Sequence, residues 1–257
     1  MTKSVLVTGA TGFIGSRLVT ELINKGYDVT SLIRKGKEGN SKSNIIYGDL
    51  TEEKVDFKEL EFDCVFHLAS HTPLEKNKKI LEKVNLDGTK KLYEEIKNRT
   101  KSIIYISGLG VYGETGDKII NESQEYNPNT NFVKIRLEAE KYLKKNSMQN
   151  KIDFAVVHFG DVYGAGGWFY EMLVKRLKKN TFRMPKGGDY FKGFVHVDDA
   201  VQSMISVLEH KSFGESFIVA DSMPITFKEF SNFTADQIGA KHPGSVPIFL
   251  AKAVLGG

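Results

Sequence analysis

The stretch VTGATGFIG, residues 7–15, constrains the fold of this chain more than any other. It follows the apolar run KSVLV and leads into GFIGSRLVTELINKG. There Ile14, Leu18, Leu22 and Ile23 recur at helical spacing until Gly26 ends the pattern. Three glycines in a strand-to-helix turn have separate duties: Gly9 permits the tight turn, Gly12 lets backbone approach a pyrophosphate, and Gly15 lets the helix pack on the strand. The amides that open the helix then face the phosphates, and the helix dipole favours their charge. Thr11, Phe13 and Ile14 belong to the same turn. The pattern predicts a dinucleotide cradle inside a βα unit.

The rest of the chain repeats that unit. Apolar runs YDVTSLIR, NIIYGDL, FDCVFHLAS, KSIIYISG and IDFAVVHFG alternate with amphipathic stretches, among them a long helix over roughly Glu75 to Lys97 and the segment NFVKIRLEAEKYLKKN. Such alternation predicts an α/β fold, a doubly wound parallel sheet of Rossmann type with helices on both faces. Residues 1–163 are read as the dinucleotide-binding core. Residues 164–257 are read as a small substrate-side lobe, entered through GAGGWF, with strands and helices that return to the core. Within it ESFIVAD is strand-like and TFKEFSNFTADQI helical, and VPIFLAKAVLGG starts an apolar helix and stops, as a truncated or naturally short chain would.

Composition excludes several classes. Lys and Arg number 36 against 32 Asp and Glu, a net charge of +4. The basic residues come as scattered pairs such as Lys78-Lys79 and Lys144-Lys145, which suit solvated helix faces and not a nucleic-acid stripe. The mild positive balance fits an anionic small ligand. Cys64 is the sole cysteine, so no internal disulfide forms. With neither a leader-like start nor a run of 18 apolar residues, a cytoplasmic setting without a membrane partner is expected. No metal site is expected: Cys64, His67 and His71 in CVFHLASH do not make a ligand set, and Asp198 and Asp199 in HVDD read as helix-capping residues.

The glycine motif is also where the chain resembles the extended short-chain dehydrogenase/reductases, the NAD-dependent epimerase/dehydratase family that includes UDP-galactose 4-epimerase. Further pieces follow in family order: GDL at 48–50, HLAS at 67–70, NLDGT at 85–89, ISGLGVYG at 106–113, DVYG at 161–164 and FVHVDDA at 194–200. The resemblance covers nearly the whole chain. It implies that Asp49 accepts from the adenine amino group with Leu50 beside the ring. It places Leu68, Ala69 and Ser70 along the ribose and diphosphate, and makes Asn85 a bridge from a helix to the central sheet. It adds Phe159 and Arg136 to the cofactor-binding set, a nucleotide sugar as substrate class, and a homodimer. The end of the second strand sets the choice of cofactor. Family members that use NAD usually carry an acidic residue there; this chain has Ile33 and then Arg34. A guanidinium suits a 2′-phosphate, so NADP is expected to bind in preference to NAD.

The chemistry the resemblance implies uses a serine or threonine, a tyrosine and a lysine. Alignment on LEAE puts Phe132 at the tyrosine position and Arg136 at the lysine position, and counting four residues back from Tyr112 puts Gly108 at the serine position. Phe132 carries no exchangeable proton, and Arg136 keeps its charge at any physiological pH. Ser107 and Tyr112 are the substitutes considered first, with His71, His158 and Tyr163 as further strand-end candidates; Trp168 suits either a substrate mouth or the core of the lobe. Two functions follow. One is an NADP-dependent oxidoreductase or epimerase with weak or unconventional activity. The other is a non-catalytic protein that senses the cofactor or binds a partner.

Overall fold

The computed structural model describes residues 2–52, 55–57, 59–72, 74–116 and 118–247. The apolar helix expected in the last residues therefore lies outside the described part, except that Val246 ends a short strand, Gly244–Val246. The chain divides into two units: Met1–Glu114, Ile120–Phe159 and Val197–Val219 form the first, and Thr115–Ile119, Gly160–His196 and Ala220–Gly257 the second.

The first unit is built on one seven-stranded, wholly parallel sheet. Its strands are β1 (Ser4–Thr8), β2 (Asp28–Ile33), β3 (Asn44–Tyr47), β4 (Cys64–His67), β5 (Ser102–Gly108), β6 (Asp153–Phe159) and β7 (Ser216–Val219). Their order across the sheet is β7-β6-β5-β4-β1-β2-β3. The central strands are buried on both faces, which is why they read as unbroken apolar runs; Val5, Leu6 and Val7 have no exposed surface. Edge strand β3 alternates instead and exposes Ile45 and Tyr47. ESFIVAD, expected in the lobe, supplies β7 of the main sheet.

Helices α1 (Phe13–Asn24) and α4 (Val197–Glu209) share one face, joined at their ends by ion pairs Arg17–Asp198 (3.3 Å) and Lys25–Glu209 (3.5 Å). The helix over residues 78–96, α2, and α3 (Asn131–Gln149) cover the other. α2 is not uniform. A π-helical stretch, Glu82–Asp87, interrupts it and places Asn85 inside the protein. The core under α2 and α3 joins Leu6, Val65, Tyr93, Ile96, Ile103, Tyr105, Leu143 and Phe154. A buried leucine in such a layer stabilises by about 1.5–3 kcal/mol.

The second unit has small pairings and an aromatic core. Asp161–Tyr163 runs parallel to Phe194–His196, Phe191–Lys192 antiparallel to Ile225–Thr226, and Arg183–Pro185 parallel to Gly244–Val246. Helix Phe227–Gln237 begins with a reciprocal cap between Thr226 and Glu229. Phe194 stacks on Phe230 at 3.9 Å between centroids, beside Leu173, Leu177 and Met184.

Candidate functional site

The glycine turn carries the geometry its sequence requires. Gly9 has φ +69°, and a Cβ there would lie 2.9 Å from the Ala69 nitrogen and from the Leu68 carbonyl carbon. A Cβ on Gly15 would stand 2.2 Å from the Gly9 oxygen, so the first turn of α1 lies directly on the loop. The Gly12 amide donates to the Gly9 carbonyl at 2.9 Å, and Gly12 caps α1 with extended backbone. No acidic side chain occupies the first turn. Thr11 is exposed and Phe13 and Ile14 half-buried, and the amides that open α1, unpaired within the helix, could hold an anion there.

The loop after β4 forms the wall opposite that turn, and polar contacts fix it at several points. The Ala69 amide donates to Thr8 Oγ1 at 3.1 Å. Thr8 Oγ1 lies 2.7 Å from His67 Nδ1, and His67 Nε2 lies 2.8 Å from Thr89 Oγ1. Thr89 spends its own proton on the Asn85 carbonyl at 2.8 Å. It must therefore accept from His67 Nε2–H, which leaves Nδ1 to accept from Thr8. His67 is thus neutral and of one tautomer. Burial, aided by the Arg136 charge, pushes its pKa down to about 3. With both ring nitrogens engaged, it is no metal ligand.

Asn85 completes this wall. Its Oδ1 accepts the His71 amide at 2.8 Å, while its buried Nδ2 has no partner among the described residues. Ser70 Oγ donates to the His71 carbonyl at 2.7 Å and accepts from Arg136 Nη1 at 2.7 Å. Arg136 Nη2 donates to the Ile106 carbonyl. The guanidinium carbon also lies 5.6 Å from the ring centroids of both Tyr105 and Phe132. Arg136 is therefore folded onto the end of β5 and the β4 loop.

The cofactor's other expected contacts lie at the end of β2 and after β3. Ile33 is buried and Arg34 exposed. Asp49 Oδ1 accepts both the amide and the hydroxyl of Thr51 at 2.8 Å. Burial alone would raise this carboxyl; the Thr51 bonds outweigh it, with Arg34 and Lys83 nearby, and hold it below the usual carboxylate range. Leu50 packs on Gly88 of α2, whose added Cβ would meet the Leu50 Cβ at 3.2 Å.

The proton-handling positions are arranged differently. Gly108 ends β5 with extended backbone, and a Cβ there would meet only the Phe159 carbonyl, at 3.5 Å. Phe132 is half-buried at the start of α3. Ser107 is opposite His158 in register, is buried, and its Oγ has no partner among the described residues. Tyr112 is buried as well. Its hydroxyl lies 3.2 Å from His158 Nδ1, and burial followed by the charges of Glu140 and Glu122 pushes its pKa up to about 12. His158 Nε2 in turn lies 3.1 Å from Glu140 Oε2, while Tyr126 donates to Glu140 Oε1 at 3.0 Å. Tyr112 and His158 are thus committed to a closed buried cluster. In the second unit Tyr163 packs among Phe169, Phe194, His196 and Phe230, and Trp168 Nε1 donates to the Val162 carbonyl at 2.6 Å. Sequence reasoning assigned no role to Thr8, Thr89, Tyr126 or Glu140. A polar residue facing another across buried strands, as Thr8 faces His67 in register, was the available signal for the first.

Comparison with known proteins gives the family and supports the fold. The family model for the NAD dependent epimerase/dehydratase family matches residues 5–220. A UDP-glucose 4-epimerase of Mycolicibacterium smegmatis is 26% identical over 263 residues, covering 91% of this chain and 82% of that one. A UDP-N-acetyl-alpha-D-glucosaminuronate decarboxylase of Bacillus cytotoxicus is 26% identical over 243 residues, covering 84% and 74%. Among solved structures, the Thermus thermophilus UDP-glucose 4-epimerase complex with NAD superposes with a TM-score of 0.82 at 22% identity, over 95% of this chain and 86% of that one. At that identity the likeness concerns the fold.

Proposed function

The chain belongs to the NAD dependent epimerase/dehydratase family, and from that premise we propose that it binds NADP(H) in preference to NAD(H) and acts on a nucleotide sugar, or a similar carbonyl or hydroxyl compound, weakly or by an unconventional proton path. The observation that carries this reading is a contrast within one unit. The glycine turn keeps the 2.2 Å approach that only a glycine at 15 allows, while Gly108, Phe132 and Arg136 are the residues that the family resemblance aligns with its proton-moving positions. A bound dinucleotide would supply hydride chemistry. The chain's own part is to hold the pyrophosphate at Gly9–Gly15, the adenine beside Asp49 and Leu50, and a 2′-phosphate at Arg34.

Loss of a positioned acid or base lowers rates by about 10²–10⁴-fold. Tyr112 does not make this good: its hydroxyl is tied to His158 and, with a pKa of about 12, stays protonated at neutral pH. That observation also favours the second reading, a cofactor-sensing or partner-binding protein with no turnover.

Fluorescence titration of the purified protein decides the first point. NADPH is expected to bind more tightly than NADH, and Arg34→Ala to narrow the gap; equal or NADH-favouring affinity overturns the preference. Incubation with NADPH and a series of nucleotide sugars decides between the two functions. Turnover that survives Phe132→Leu identifies another proton carrier, and its absence throughout favours the second.

A further inference from the structure

We infer that Arg136 is a positioning residue: acting through Ser70, it fixes the β4 loop against the glycine turn and so sets the affinity for the dinucleotide. The inference rests on the cofactor site proposed above and gives Arg136 a different task from a ribose ligand. Its two terminal nitrogens are both spent on protein, one on Ser70 Oγ at 2.7 Å and the other on the Ile106 carbonyl. Its guanidinium carbon lies 5.6 Å from the ring centroids of both Tyr105 and Phe132.

The chain of contact from Arg136 to the cradle is short. Ser70 adjoins Ala69, whose amide holds Thr8 and whose nitrogen lies where a Cβ of Gly9 would be. Ser70 also adjoins His71, whose amide is held by Asn85. Segment 68–71 is thus pinned from β1, α2 and α3, and Arg136 is the α3 pin. Phe132 fits the same arrangement. An aromatic face beside a guanidinium stabilises it where a phenol would add nothing to the clamp.

A lysine cannot reproduce this. Its ammonium is a compact charge without a planar fork, so it cannot hold Ser70 and the Ile106 carbonyl from two separate nitrogens while lying close to both rings. Restoring the family's residue here should therefore weaken binding.

The test uses the full chain and the variants Arg136→Lys, Ser70→Ala and both together. NADPH affinity, measured by fluorescence titration, is expected to fall about tenfold in Arg136→Lys, the scale of one lost charge-assisted hydrogen bond. Ser70→Ala should fall by a similar factor, and the double variant no further than either. A loss in Arg136→Lys that adds to that of Ser70→Ala means direct contact with the cofactor and overturns the inference, as does unchanged affinity. Hydrogen exchange on the cofactor-free protein reads the clamp independently of the functional proposal. The amides of Ala69 and His71 should exchange at least about tenfold faster in Arg136→Lys, with the slowest core amides unchanged. Equal protection at 69 and 71 overturns the clamp even if NADPH binds; faster exchange with no dinucleotide binding by the wild type keeps the clamp and removes its proposed purpose.

Discussion

At the scale of single residues, His67 has the most definite protonation state in the site. Its ring is wholly buried, gives its one proton to Thr89 and takes one from Thr8. A second proton would have to break the Thr8 bond and would face Arg136. The folded chain therefore binds this proton only near pH 3, whereas an unfolded histidine binds it near 6.5. Because the folded value is depressed, the contribution to stability is complete above about pH 6.5 and is lost as pH falls towards 3. The limiting slope is about 1.4 kcal/mol per pH unit. Carboxylates elsewhere titrate in the same range, so the difference between wild type and His67→Gln isolates the effect. In urea unfolding at pH 7, 6, 5 and 4 the wild type's advantage should shrink steadily with falling pH. An advantage that stays constant would mean that His67 is not held neutral.

At the scale of elements, α3 is anchored by a carboxylate. Glu140 is 3% exposed, yet it sits among Ile135, Leu137, Ala139 and Leu143 on the buried side of the helix. It ties α3 to β6 through His158 and to the 113–130 connection through Tyr126, and Tyr112 completes the cluster from the turn after β5. Removing one partner of a buried ionic group leaves the others unsatisfied, so Glu140→Ala should cost about 3–5 kcal/mol in urea unfolding. Tyr126→Phe, which deletes one bond and keeps the ring, should cost about 1 kcal/mol. A Glu140→Ala cost below that of Tyr126→Phe would show that the carboxylate does not hold the cluster. This anchor also marks the limit of what the chain discloses as a string of letters. The strands were legible because burial on both faces leaves continuous apolar runs, and the cradle because only glycine fits at 9 and 15. The π turn at 82–87 was not: its i+5 bonds leave no mark in residue spacing. Arg136 was legible as a position, but not as a clamp. Its partners Ser70 and Ile106 are 66 and 30 residues away, and only the sheet brings them together.

At the scale of the molecule, the strand order says where a ligand can act. The chain runs outward from β1 through β2 to β3, then returns to place β4 on the other side of β1. The loops after β1 and β4 therefore leave the sheet in different directions at its switch point, the place where ligands bind in such folds, with Gly9 close against Leu68 and Ala69. These loops, together with Asn85 and Arg136, belong to one unit of the chain. Binding there should stabilise that unit by mass action. At a cofactor concentration of 100 times Kd the gain is about 2.7 kcal/mol, equivalent to roughly 5–10 °C for a chain of this size. This shift depends on the cradle and not on proton transfer. Calorimetry with NADPH should raise the melting transition of the sheet-bearing unit in the wild type, and Gly108→Ser with Phe132→Tyr should leave that rise nearly unchanged. Gly15→Ala should abolish it, because its Cβ would stand against the Gly9 carbonyl that shapes the turn. A rise that persists in Gly15→Ala, or that vanishes in the Gly108 and Phe132 pair, would place the nucleotide somewhere other than the cradle.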